Sequence, residues 1–153
     1  MSRTTMKRLG LVPILLVAAS VTAWSATLPN QVRSTLMRQV VAWNNGNLEG
    51  YMKYYWRSPH LTFFSGGTMT EGWEPVFERY KKRYKAEGKE MGQLDFRKVR
   101  VEVFGIDKAV ARGHWELKFK NGKSSRGLFT LLLKKFPEGW RITHDHSSSE
   151  TAE

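Results

Sequence analysis

Cysteine is absent from all 153 residues. That excludes a disulfide framework, a thiol nucleophile and a thiolate metal site. A glycine-rich phosphate loop, the strand–turn–helix that presents a hydrolase serine, and the paired-histidine helix of metalloproteases are missing too. Aspartate is scarce: Asp95, Asp107 and Asp145 are the only ones. Lys and Arg are many but never four in a row. No apolar run reaches the ~20 residues that a membrane-crossing helix needs. The chain shows no internal repeat, no linker and no sign of a second domain, and its length suits one domain with a real core.

What is present begins with a leader. Met1–Arg8 is basic, Leu9–Val21 is mostly apolar, and Ala23-Trp24-Ser25 places small residues two apart. This is the pattern of a secretory signal peptide over residues 1–25, cleaved after Ser25 or, alternatively, after Ala23. An uncleaved N-terminal anchor is the competing reading. The expectation is an exported protein, periplasmic or secreted, with no stable membrane insertion after cleavage. The formal net charge is +11, or about +8 once Arg3, Lys7 and Arg8 of the leader are set aside. Such a charge favours anionic partners or simply keeps the surface soluble. Nucleic acid is not expected, because the aromatics interleave with apolar residues rather than with a basic patch.

Period and punctuation give an outline of the rest. Val32, Leu36, Val40 and Trp43 share one face of a helix over Leu28–Trp43. Asn44-Asn45-Gly46-Asn47 stops it, and Asn47 can cap a short helix over Leu48–Tyr55. His60–Ser65 reads as a short apolar strand, Gly66-Gly67 as its turn, and Thr68–Thr70 as a return strand. A third helix is expected over Gly72–Tyr84. Four strands follow: Leu94–Phe104, Ala109–Phe119, Ser125–Phe136 and Gly139–Ser148. Asn121-Gly122 is a strong hairpin turn between the second and third of these. The third is apolar on both faces and is expected to be central or covered on both sides. Residues 149–153 form a polar tail. Helices followed by hairpin-connected strands predict an α+β fold, a strongly curved antiparallel sheet wrapped around three helices.

Several segments resemble those of a known family. Val40–Tyr51, Phe63-Phe64-Ser65-Gly66-Gly67, Gly72-Trp73-Glu74 and Gly139–Ser148 are similar, in order, to segments of SnoaL-like domains of the nuclear-transport-factor-2-like superfamily. The ending also resembles that of the calcium/calmodulin-dependent kinase II association domain. The resemblance covers about residues 30–148, within a domain expected over 28–148, and implies a cone-shaped α+β barrel. It implies a function drawn from small-molecule binding, cofactor-independent isomerase, cyclase or dehydratase chemistry, or homo-oligomeric assembly.

The candidate site centres on the last strand. Trp140, Ile142, His144 and His146 alternate with Arg141, Thr143, Asp145 and Ser147, so strict period two places both imidazoles on one face and Asp145 on the other. His144, Asp145 and His146 are the catalytic candidates, since a pocket imidazole or carboxylate can move a proton near neutrality. The competing view makes these histidines structural. Two imidazoles at alternate positions can also hold a metal, but no third ligand is spaced to join them, and neither metal nor cofactor is expected. Trp43, Tyr55, Phe64, Trp73 and Tyr80 are the candidate ligand-lining aromatics, with plain core packing as the alternative. Arg126, and with it Arg79, could hold an anion at the mouth. The expected partners are a small hydrophobic or carboxylate-bearing molecule and a second copy of the chain. Arg112, His114 and Glu116 mark the outer sheet face for that contact or for solvent.

Overall fold

The computed structural model describes residues 16–150, and for residues 16–26 the helical backbone alone. The expected leader therefore lies outside the described residues as far as residue 15. Helix α1 spans Leu16–Asn44 and runs through Pro29, starting earlier than the sequence pattern suggested. No helix among the described residues is long and apolar enough to cross a membrane.

The face of α1 carrying Leu28, Val32, Leu36, Val40 and Trp43 is buried, as its spacing predicts. Helix α2 is only Leu48–Met52, started by Asn47, whose side chain accepts from the Gly50 N–H. Helix α3 spans Trp73–Lys81 and widens into a π turn over Lys82–Ala86. Strands β1 (Thr62–Ser65) and β2 (Thr68–Glu71) form a small hairpin. Strands β3 (Gln93–Phe104), β4 (Lys108–Lys118), β5 (Ser124–Phe136) and β6 (Gly139–Ser147) form a long meander.

All six strands join one sheet in the order β2-β1-β6-β5-β4-β3. The expectation of an antiparallel sheet needs one correction: β1 lies parallel to β6, with Phe63 opposite Asp145. The helical region between α1 and β1 carries the chain back to that edge. As expected, β5 is central. Its outer residues Leu128 and Leu132 are nevertheless 54% and 43% exposed, so its double apolar face is covered on one side only.

Two irregularities curve the sheet. On β3 the register slips between Arg97 and Arg100, and Lys98 takes a left-handed φ of 51°. Gly113 lies opposite this bulge, where an added Cβ would meet the Arg97 carbonyl and the Phe129 ring at 2.9 Å. On β6, Leu132 pairs with His144 but Leu133 pairs with Ile142, so Thr143 is the extra residue of a bulge. The bulge sits where the neighbour of β6 changes. Before it, Ile142 exchanges hydrogen bonds with Tyr54 and Trp56; after it, β1 takes over. The helices close one side of the curved sheet, and the gap between them is the cavity described next.

Candidate functional site

The cavity holds about 590 Å³ between α1, α3 and the concave face of the sheet. Its inner wall is built from neighbouring elements with matched phases. Trp43 ends α1, Tyr51 and Tyr55 follow from α2, Phe63 comes from β1, and Phe129, Leu131 and Asp145 come from β5 and β6. Trp43, Tyr51, Tyr80 and Tyr84 meet edge-on at centroid distances of 5.0–6.0 Å, except that Tyr80 and Tyr84 stack at 6.2 Å. Edge-to-face contacts of this kind hold rings in fixed orientation.

Asp145 is the carboxylate at the bottom. Its Oδ2 accepts from the Tyr55 hydroxyl at 2.7 Å, and its Oδ1 accepts from the Ser147 hydroxyl at 2.7 Å. The Tyr55 hydroxyl lies 3.2 Å from that of Tyr51, which interacts in turn with Tyr80. A chain of three phenols thus ends on one carboxyl group. Burial raises that carboxyl from its ordinary 3.8 to about 6, while Tyr55, Ser147 and the charge of His146 pull it part of the way down. Burial, first of all, also pushes the Tyr51, Tyr55 and Tyr80 hydroxyls up, so all three stay neutral donors. A carboxylate that titrates near 6 can accept a proton at neutral pH, and fixed phenols can donate hydrogen bonds to an oxygen that gains charge.

His144 and His146 are on the other side. The bulge at Thr143 inverts the alternation: Trp140 and Ile142 point in, and after one extra residue Asp145 points in and both imidazoles point out. Of the three catalytic candidates, that single residue brings Asp145 to the cavity and keeps His144 and His146 off its wall. His144 instead bonds through Nδ1 to the Thr62 hydroxyl at 2.7 Å and meets the Phe64 ring edge-on at 4.8 Å. Burial lowers its pKa, with His146 adding to the effect. No group of three His, Asp or Glu side chains converges to hold a metal among the described residues.

Of the expected lining aromatics, Trp43, Tyr55 and Tyr80 border the cavity. Phe64 does not, because it follows the inward-facing Phe63 on a strand and so packs against the outer histidines. Trp73 faces a separate hollow with Phe77, beneath the Arg57 guanidinium at 4.7 Å. Arg126 is on the outer surface and pairs with Glu150 at 2.7 Å. Arg79, by contrast, does border the cavity. The sequence reasoning missed Gln39, Phe63, Phe96 and Ser147. Alternation along Phe63-Phe64 and a bulge-corrected β6 are the signals that would have found Phe63 and Ser147.

A family comparison covers the domain: the SnoaL-like domain matches residues 32–152. The chain belongs to the SnoaL-like domain family. Its structural relatives agree with that assignment to the nuclear-transport-factor-2-like superfamily. A protein of unknown function of this superfamily from Shewanella oneidensis MR-1 is 35% identical, with a TM-score of 0.71 over 78% of this chain and 97% of that one. A superfamily member from Salmonella enterica is 21% identical, with a TM-score of 0.68 over 84% and 94%. A Streptomyces avermitilis protein provisionally called a dehydratase is 19% identical, with a TM-score of 0.70 over 84% and 99%. No curated protein matches. At those lower identities the likeness concerns the fold, and the SnoaL-like cone is common ground for many chemistries.

Proposed function

We propose that this SnoaL-like domain binds a small, largely apolar molecule in its cavity, with a carbonyl or hydroxyl of that molecule at the Tyr55–Asp145 end. The observation that carries this is Asp145: a buried carboxyl group, held by two hydroxyl donors, at the foot of an aromatic-lined space of about 590 Å³. Space of that size takes a bicyclic or tricyclic ligand. The test is a thermal-shift series with aromatic ketones, phenols and arylcarboxylates, repeated on Asp145→Leu. A rise in Tm with at least one class, lost in the variant, is expected; no shift with any class counts against binding.

A second reading makes the same site catalytic, as an isomerase, cyclase or dehydratase that moves a proton at carbon. It is favoured by the carboxyl being raised to about 6, which suits a general base. In this form the proton goes to Asp145 rather than to His144 or His146, and the phenols steady the enolate oxygen. Single-turnover exchange of a ketone α-proton into deuterated water, abolished in Asp145→Asn, is the expected signature.

Two further expectations stand as proposals. Export predicts that intact protein recovered from outside the cytoplasm begins at Ala26 or Trp24. A homodimer through the outer sheet face, where Leu128 and Leu132 are exposed, predicts twice the monomer mass in light scattering at micromolar concentration. Monomeric mass throughout would remove it.

A further inference from the structure

The opening of the cavity differs in charge from its depth. Arg79 of α3, Arg83 of the π turn, Lys89 of the following loop and Lys123 of the β4–β5 hairpin all border it. Four separate places in the chain therefore bring a cation to one rim. Among the lining residues at this end Glu90 is the acid, and its Oε1 already accepts the Lys120 N–H at 3.0 Å; Lys89 is itself paired with Glu87 at 3.6 Å, which leaves Arg79, Arg83 and Lys123 without a carboxylate partner among the described residues.

Arg79 is the built member of this group. It is half-buried, and no carboxylate pairs with it among the described residues. Its fork is aimed instead by neutral acceptors, the Thr70 hydroxyl at 3.2 Å and the Ser65 carbonyl at 3.4 Å, and its carbon lies 5.3 Å from the Phe63 ring centre. A planar guanidinium fixed this way retains donors and a full charge for an incoming anion. Asp145 does not pair with it: the two Asp145 oxygens accept from the Tyr55 and Ser147 hydroxyls.

We infer that the rim is an anion clamp, and that the ligand is an aromatic or polycyclic monoanion that enters apolar end first and leaves its carboxylate or sulfonate at Arg79. This rests on the small-molecule reading and sharpens it. The orientation follows from charge. An anionic group driven to the foot of the cavity would meet Asp145, ionised at neutral pH and shielded from water, and two like charges would then be buried side by side. The same group at the rim meets Arg79, Arg83 and Lys123, with Lys89 shared with Glu87, and keeps part of its hydration. Between the two ends the walls are Trp43, Phe96, Trp115, Leu117 and Phe129, which suit an uncharged ring system.

A matched pair of fluorescent probes tests this. 8-Anilinonaphthalene-1-sulfonate and N-phenyl-1-naphthylamine share one ring skeleton and differ by the sulfonate. The expected result is that the sulfonate binds about tenfold tighter at low salt, an advantage that shrinks as ionic strength rises from about 20 mM to about 500 mM. Arg79→Gln is expected to remove most of the difference while the neutral amine binds as before; Arg79→Lys keeps part of it, because charge remains without the fork. Lys134→Gln, on the outer face, leaves both probes unchanged, and a thermal melt of each variant confirms folding. Equal affinity of the two probes, or an undiminished sulfonate preference in Arg79→Gln, overturns the clamp while leaving small-molecule binding in place. Binding of neither probe overturns both.

Discussion

The two faces of β6 are made from the same stretch of chain and lead different lives. On the inner face, Trp140, Ile142 and Asp145 are 2%, 0% and 4% exposed, and the carboxyl group is surrounded by phenols. On the outer face, His144 is half-buried against Thr62 and Phe64, and His146 is open to solvent. Both faces carry titratable groups that burial disturbs, but in opposite senses: the Asp145 acid is strengthened in its neutral form by taking up a proton, the His144 base by giving one up. What separates them is the level of water exclusion, set by which side of one bulge a residue falls. On the inner face a titratable charge and a space are found together.

The largest expected difference is in packing. Leu131 and Leu132 are neighbours on β5, one 3% exposed toward the cavity wall and the other 43% exposed on the outer face. Leu131→Ala should lose about 3–4 kcal/mol in urea denaturation, as truncation of a buried leucine does. Leu132→Ala should stay within about 0.5 kcal/mol. Equal losses in dilute protein would break the comparison. A loss for Leu132→Ala that grows with protein concentration would instead sharpen it, by showing a second copy over the outer face.

The sequence carried most of the fold and half of this site. Helical spacing in Val32, Leu36, Val40 and Trp43, the hairpin at Asn121-Gly122 and the alternation of β3 to β5 all register packing that is local and periodic. The segments resembling SnoaL-like domains gave the α+β cone. What period two could not register is Thr143. A bulge is set by the change of neighbour beside β6, from Tyr54–Trp56 to β1, and that contact joins residues far apart in sequence. One unpaired residue was enough to exchange the places of Asp145 and the two histidines. Trp73 and Phe64 failed for a related reason: aromatic character marks a residue for burial or stacking but does not say which of two hollows or faces receives it.

The next effect in size is the pH dependence of Asp145. Its folded pKa of about 6 is above the unfolded value of 3.8, so its contribution to stability is complete below about pH 4 and is lost as pH rises through about 6. A shift of roughly two units corresponds to a little under 3 kcal/mol at the most. Asp145→Asn removes the buried charge but leaves the Ser147 hydroxyl facing a less suitable partner, so we expect a gain of about 2 kcal/mol at pH 8 and a flatter profile between pH 4 and 7. The same variant should abolish any proton exchange at carbon. A variant less stable than the parent at pH 8 would show that Asp145 is held as a structural anion rather than poised.

Tyr55→Phe tests the wire to that carboxyl group with a smaller effect. The lost hydroxyl donates at 2.7 Å to the oxygen that carries the charge. Its removal should cost about 1–2 kcal/mol at pH 8 and less at pH 4, where the acid is neutral. The Asp145 carboxyl carbon, followed by NMR, should titrate above the parent value. An unmoved titration would mean that Ser147 alone sets the carboxyl's state.

The smallest effect belongs to the outer face. His144 is held below its ordinary 6.5 by burial, with His146 adding to it, so the folded state prefers the neutral imidazole. That contribution is present above about pH 6.5 and is lost as pH falls through the lowered value, the reverse of Asp145. Because the ring is only partly screened from water, His144→Gln should change Tm by no more than about 1–2 °C, and only on the acid side. The amide can still meet the Thr62 hydroxyl, so the hydrogen bond is kept while the titration is removed. Melting curves from pH 4 to 8 on the parent, His144→Gln, Asp145→Asn and the double variant should then show two independent slopes of opposite sign that add. If His144→Gln also flattened the loss that sets in as pH rises from about 4 to about 6, the histidine would be setting the Asp145 charge through the strand, and the two faces would form one titrating unit.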